Sequence, residues 1–160
     1  MTRSTTTQAG ASVPLATPAA RHRPQWTVLA AISTGGTLGA LGRYGIGLAL
    51  PTRATAFPWA TLLINATGCL LIGALMVLVS DVWAGRRLVR PFFGVGVLGG
   101  YTTFSTYVVD IQRLVDRGAP GTALAYLGGT LLAALLAVYA GATLTRLATR
   151  RRRRHRGGNR

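Results

Sequence analysis

The residues best suited to chemistry form one run, Gly99-Gly100-Tyr101-Thr102-Thr103-Phe104-Ser105-Thr106-Tyr107. It places two glycines and a row of hydroxyl side chains in the middle of an apolar stretch, 88–114, where lipid favours Leu and Val. Eleven residues precede the glycines, 88–98, and about eleven more follow from Phe104. At ~1.5 Å per residue each piece is ~16 Å as a helix, half a hydrocarbon core. The spacing predicts a helix broken at the membrane midplane over 99–103. Unwound backbone at that depth survives only where protein or a polar cavity surrounds it. Such breaks expose carbonyls and half-helix ends that hold ions. The run therefore reads as an ion site around which the other segments build a pore.

A second set of polar residues lies in the apolar blocks. Gly35, Gly39, Arg43 and Gly47 follow one another at intervals of four, so they share a helix face. The glycines permit close helix approach. Arg43 either snorkels or pairs structurally, or it attracts an anion. Thr61, Asn65, Gly68 and Ile72 share a face of the next block. Asn65 is costly in lipid unless partnered. Its carboxamide suits either an interhelical hydrogen bond or an anion path, since it carries two N–H donors. Tyr126 and Thr130, four apart, face one way in the last block, either as ordinary packing or as part of a polar track.

The elements that must position these residues are apolar blocks at 26–50, 59–80, 88–114 and 122–145 of a 160-residue chain that is 49% hydrophobic. Each approaches or exceeds the ~20 residues that span a bilayer. Only Arg43 and Asp110 are ionisable well inside them, with Arg113 at the end of the third. The expected class is an all-α integral membrane protein with four transmembrane helices, the third broken, forming one channel domain over 25–146. A soluble bundle would need charged helix faces, which these blocks lack. Residues 1–24 read as a disordered cytoplasmic extension and 147–160 as an Arg-rich disordered tail. No apolar h-region follows an early positive charge, so the start does not read as a secretory signal. The single Cys69 sets no disulfide framework.

The net charge is +15 and every basic residue is Arg. Most of that charge lies in the tail, which suits anionic membrane lipid better than nucleic acid. Four spans put both termini on one side, with 14 arginines there, three on the other side (Arg53, Arg113, Arg117) and Arg43 in between. The positive-inside rule then predicts cytoplasmic termini in a multi-pass cell-membrane protein.

Three stretches resemble the Fluc (CrcB) fluoride channels: Gly36-Thr-Leu-Gly39-Ala40-Leu-Gly-Arg43-Tyr44, Pro58-Trp-Ala-Thr61-Leu-Leu-Ile-Asn65 and Gly99-Gly100-Tyr-Thr102-Thr103-Phe104-Ser105-Thr106. The likeness covers about residues 28–145, and the third motif is the most specific. The resemblance implies passive export of fluoride through a dual-topology dimer, two antiparallel subunits enclosing two pores. It implies a structural Na+ at the dimer centre, held by backbone carbonyls of Gly99 and Thr102. The fluoride pore would be lined by Asn65, Phe104, Tyr107, Ser105, Thr106, Tyr126 and Thr130, with Arg43 supplying positive potential. Aromatic ring edges carry the positive part of the quadrupole, so a Phe edge can face an anion.

The chain departs from the family's pattern in ways that bear on its partner. Tyr107 stands for a second pore Phe, Asp110 for the usual Glu, and Ala134 and Val138 for frequent hydroxyl positions. With the arginine bias, these departures favour a fixed orientation and an oppositely oriented paralogue as partner. A non-conducting or half-conducting subunit of such a heterodimer is the alternative. A small four-span multidrug antiporter is a third reading, but it needs a carboxylate in the first span and none is there. An enzyme is not expected, because no nucleophile–base pair, metal cluster or phosphate loop is present and both histidines lie in the tails.

Overall fold

The computed structural model describes residues 26–53, 55–83 and 85–157, with side chains through residue 150. The extension expected at 1–24 and the last three residues of the tail lie outside the described residues. Helix α1 is Trp26–Ala49 and α2 is Trp59–Asp81. A π-helical segment, Arg90–Val97, runs straight into α3, Leu98–Tyr101; α4 is Ser105–Asp116 and α5 is Pro120–Gly157.

Local chemistry explains the boundaries. Pro58 immediately precedes α2, and Pro120 opens α5, where its missing N–H costs nothing. Between α4 and α5, Gly118 adopts φ +74°. The Ala119 N–H reaches the Leu114 carbonyl at 2.9 Å and the Gly118 N–H reaches Val115 at 3.0 Å. This is a Schellman ending, and its left-handed residue favours glycine.

Three stretches among the described residues are long and apolar enough to cross a membrane: Trp59–Asp81, Arg90–Asp116 and Pro120–Arg150. Helix α1 has 24 residues, a comparable length, but its six glycines and Arg43 dilute its apolarity.

The third segment is broken, but not where the glycines suggested. Gly99 and Gly100 are helical, and the lapse falls at Thr102–Phe104, with Thr102 extended at φ −76°, ψ 155°. The glycines serve close approach instead. A Cβ on Gly100 would run into the Gly36 carbonyl. The half-helix before the break is also wider than expected: the Leu98 N–H bonds back five residues to Phe93. Pro91, which cannot donate, sits in its first turn.

The tail expected to be disordered from residue 147 instead continues α5 to Gly157. Leu, Ala and Arg are strong helix formers, and no breaker intervenes before the Gly-Gly pair at 157–158.

Packing follows the small residues. Gly35 and Gly39 of α1 lie against backbone of the π-helical segment, with Gly96 returning the contact onto Gly35. Gly73 of α2 and Gly141 of α5 make the same kind of backbone approach at the α2–α5 crossing. Near the α4–α5 turn a small core gathers Leu114, Ala123 and Tyr126, with Phe57, Leu62, Tyr107 and Ile111 around them. Phe57 meets the Tyr126 ring edge-on at 5.3 Å. Leu38, Leu48, Leu124, Leu132 and Leu136 are all exposed, as lipid-facing positions must be.

Candidate functional site

The site is a crevice of about 370 Å³ between α2, the broken segment and α5. The α2 face expected from the sequence supplies one wall, and each of its four members meets the broken segment or the crevice. Thr61 donates to Asp110 Oδ2 at 2.7 Å. Asn65 meets Thr103, Gly68 lies against the Thr102 side chain, and Ile72 lines the crevice.

Asn65 holds the break. Its Nδ2 donates to the Thr103 carbonyl at 2.8 Å, and its Oδ1 accepts the Thr103 N–H at 2.9 Å. One carboxamide thus satisfies both backbone groups of a residue that has left the helix. One N–H of Asn65 is left over for another acceptor. The Thr103 hydroxyl then accepts the Thr106 N–H at 3.2 Å and donates to the Thr106 hydroxyl at 2.9 Å. It thereby caps α4 from just outside the helix.

These bonds change what the carbonyls of the break can do. The Thr103 N–H goes to Asn65 rather than to Gly99, and the Thr106 N–H goes to the Thr103 hydroxyl rather than to Thr102. The Gly99 and Thr102 carbonyls therefore lose the donors an unbroken helix would give them. The Gly100 carbonyl is occupied: Arg43 Nε donates to it at 3.1 Å, across 57 residues of sequence. A guanidinium at the C-terminal end of α3 also opposes the partial negative charge there.

The expected site residues divide by place. Asn65, Gly99, Thr102, Phe104, Tyr107 and Thr130 line the crevice. Arg43, Ser105, Thr106 and Tyr126 do not. Arg43 approaches the break from α1. Ser105 is exposed, its hydroxyl 3.4 Å from that of Thr103. Tyr126 is fully buried, one turn from Thr130. Phe104 is 77% exposed, with its ring 5.9 Å from that of Tyr107. The Tyr107 hydroxyl is tied to α5, donating to the Leu127 carbonyl at 2.8 Å.

Two hydroxyls in this region are buried without a hydrogen-bond partner among the described residues, Tyr126 and Thr130. An unmet buried donor costs about 1–3 kcal/mol, so such groups invite a ligand or water. The Tyr126 hydroxyl lies close to Thr61 and Asp110 without closing a bond. Asp110 itself is outside the crevice wall. It is held by Thr61, and Arg113 is 4.0 Å away on the exposed side. The lining therefore combines amide and hydroxyl donors with the residues of the two freed carbonyls, Gly99 and Thr102, on apolar walls, with the nearby carboxylate already engaged.

Sequence reasoning did not single out Cys69 or Thr103 as site residues. Cys69 lines the crevice, and its spacing of four from Asn65 was the available signal. For Thr103 the signal was its place inside the predicted break, though its partner lies 38 residues away.

Residues 30–142 match the family described as CrcB-like protein, Camphor Resistance (CrcB). A protein of Streptomyces avermitilis named fluoride-specific ion channel FluC 2 is 55% identical over 116 residues, covering 70% of this chain and 73% of its own. A FluC 2 of Nocardia farcinica is 54% identical over 127 residues, 79% of this chain and 91% of its own. A second protein of S. avermitilis, named FluC 3, is 42% identical over 132 residues, 82% of this chain and 65% of its own. With its apolar helices, the chain is a multi-pass membrane protein. It belongs to the CrcB family, whose named relatives are fluoride-specific ion channels rather than enzymes.

Proposed function

We propose that the chain is a subunit of a passive fluoride channel that lets the ion leave the cytoplasm and so limits its toxicity. The observation that carries this reading is the crevice beside the break. Its walls are apolar, the spare Asn65 N–H and the unpartnered Thr130 hydroxyl can donate there, and none of its lining residues is a carboxylate. Fluoride holds its water tightly. A path for it must replace that water with donors already in place, at little reorganisation cost. Thr130 and the second N–H of Asn65 suit that task, the Phe104 and Tyr107 ring edges extend it, and Ser105, Thr106 and Tyr126 stand next along the same helices. Arg43 contributes positive potential from behind the break.

The reading includes four membrane spans, with α1 the least apolar, and an antiparallel dimer. Freed carbonyls of Gly99 and Thr102 suit a hard cation such as Na+, which takes oxygen ligands. Two carbonyls are few for such an ion, and a second, inverted subunit would double them. A bound Na+ would supply fixed positive charge at the centre of the assembly. The arginine asymmetry supports a fixed orientation with cytoplasmic termini. An oppositely oriented paralogue is then the natural partner, and S. avermitilis carries at least two differently numbered FluC proteins. Ala134 favours a half-conducting subunit as the second reading, since it places a methyl on the crevice wall.

The test is fluoride efflux from proteoliposomes, with this chain alone and with an oppositely oriented partner. Flux is expected, greatest with the partner. No flux in either case overturns the channel reading, and a fully active homodimer with both orientations equally populated overturns the heterodimer. Two variants place the path. Treatment with a negatively charged thiol reagent is expected to cut flux by at least about tenfold through Cys69, an added barrier of about 1.4 kcal/mol. Cys69→Ser should remove that sensitivity, and equal sensitivity in both proteins would take the crevice off the path. Tyr107→Phe keeps the ring and removes a bond that points into α5. Its expected cost is about 1 kcal/mol of stability, with flux within about threefold of the parent. A tenfold loss of flux would put the hydroxyl itself in the path.

A further inference from the structure

We infer that the C-terminal part of α5 is a docking segment for anionic phospholipid headgroups. Helix α5 has 38 residues, about 57 Å at 1.5 Å per residue. A hydrocarbon core is about 30 Å thick. Its apolar part ends at Thr145, and the first charge after Pro120 is Arg146. Arginine then occupies 150–154, 156 and 160, and no acidic residue follows Asp116. Arg146 and Arg150 are exposed and one turn apart.

The helix is continuous, so the distance of this charge from the bilayer is fixed by its rise. Residues 147–157 add about 16 Å beyond the apolar part. That is the headgroup layer plus roughly one Debye length at physiological salt. A solvated, self-repelling tail would not be held at that distance. Helix-dipole stabilisation does not account for the charge either, because that effect fades within the last turn. Clusters of arginine directly after a membrane helix attract anionic lipid. This inference is independent of what the crevice conducts.

The experiment uses the full chain in nanodiscs, which leave both faces accessible. One set is phosphatidylcholine alone and the other is phosphatidylcholine mixed with phosphatidylglycerol. Trypsin cleavage after Arg146–Arg156 is followed by mass spectrometry relative to cleavage after Arg86 and Arg87 in the α2–π loop. Tail cleavage is expected to be at least about fivefold slower in the anionic discs. The difference should vanish at about 1 M salt, where the Debye length is about 3 Å. With arginines 150–154 all changed to Gln, the remaining sites at Arg146 and Arg156 should be cut equally fast in both discs. With the same five changed to Lys, protection should persist. Equal relative rates in both discs for the parent chain overturn the inference. So does protection of the tail in neutral discs by added duplex DNA that exceeds the protection given by phosphatidylglycerol.

Discussion

Asn65→Asp is expected to lower fluoride efflux by about a thousandfold, measured with a fluoride electrode on proteoliposomes. The substitution keeps size and shape but removes both N–H donors. An ionised carboxylate would set one oxygen against the Thr103 carbonyl, where a 2.8 Å hydrogen bond now stands. Thr103 would lose half of its pairing, and the break would lose the group that fixes it. The new charge also faces any anion in the crevice. At about 4 Å and an effective dielectric of about 20, two like charges repel by about 4 kcal/mol, the thousandfold named above. The effect should be reversible by acid. Once protonated, the carboxyl regains an O–H that can donate to Thr103, so part of the flux returns as pH falls. Flux unchanged at neutral pH would remove Asn65 from both the path and the break. Loss of flux with no recovery in acid, in protein that remains monodisperse, would mean the second N–H matters and the clamp does not.

Gly39→Ala is expected to abolish recovery of folded protein, whereas Gly42→Ala on the same helix should be tolerated. A Cβ at 39 would meet the Val97 carbonyl, and it would lie 2.8 Å from the Tyr101 nitrogen. Both are backbone atoms, so no rotamer change relieves the clash and α1 must move away. Overpacking that a core can absorb costs about 1–3 kcal/mol. Here the seam carries the π-helical segment and α3, so separation also shifts the Gly100 carbonyl away from Arg43. At 42 a Cβ would sit 3.7 Å from the Tyr101 ring, an ordinary contact. Yield of monodisperse protein in detergent and its melting temperature decide the matter. Similar behaviour of the two variants would mean that the α1 seam is looser than described.

These two residues also mark what could be read from the chain and what could not. Asn65 and Arg43 stood out because lipid penalises them, and each has a specific partner at the break. The partners themselves were not legible, since they are backbone groups 38 and 57 residues away that acquire free valences only once the helix lapses. The position of the lapse was missed by a few residues for a related reason. Glycine marks both broken helices and tight helix contacts, and local sequence does not say which. Gly99 and Gly100 stay helical, while Thr103 leaves the helix because Asn65 and its own hydroxyl replace the lost bonds. The π-helical turn had no signal beyond Pro91. The apolar blocks were legible because membrane thickness sets their length. The tail shows the converse: its low apolarity suggests disorder, yet Leu, Ala and Arg all favour helix and α5 runs on to Gly157.

The Arg43 bond also bears on how the chain is made. On the four-span reading, α1 emerges first from the ribosome, yet it is the helix least able to enter lipid unaided. Its guanidinium finds its acceptor only after the chain has grown by a further 57 residues. Asn65 in the second helix waits on Thr103 in the same way. Synthesis therefore passes through a stage in which two helices carry polar groups with no mate. The third segment settles both when it packs, because its helix lapses against Asn65 and leaves the Gly100 carbonyl for Arg43. Membrane integration of the N-terminal half is in that sense a late, cooperative event, completed backwards along the chain.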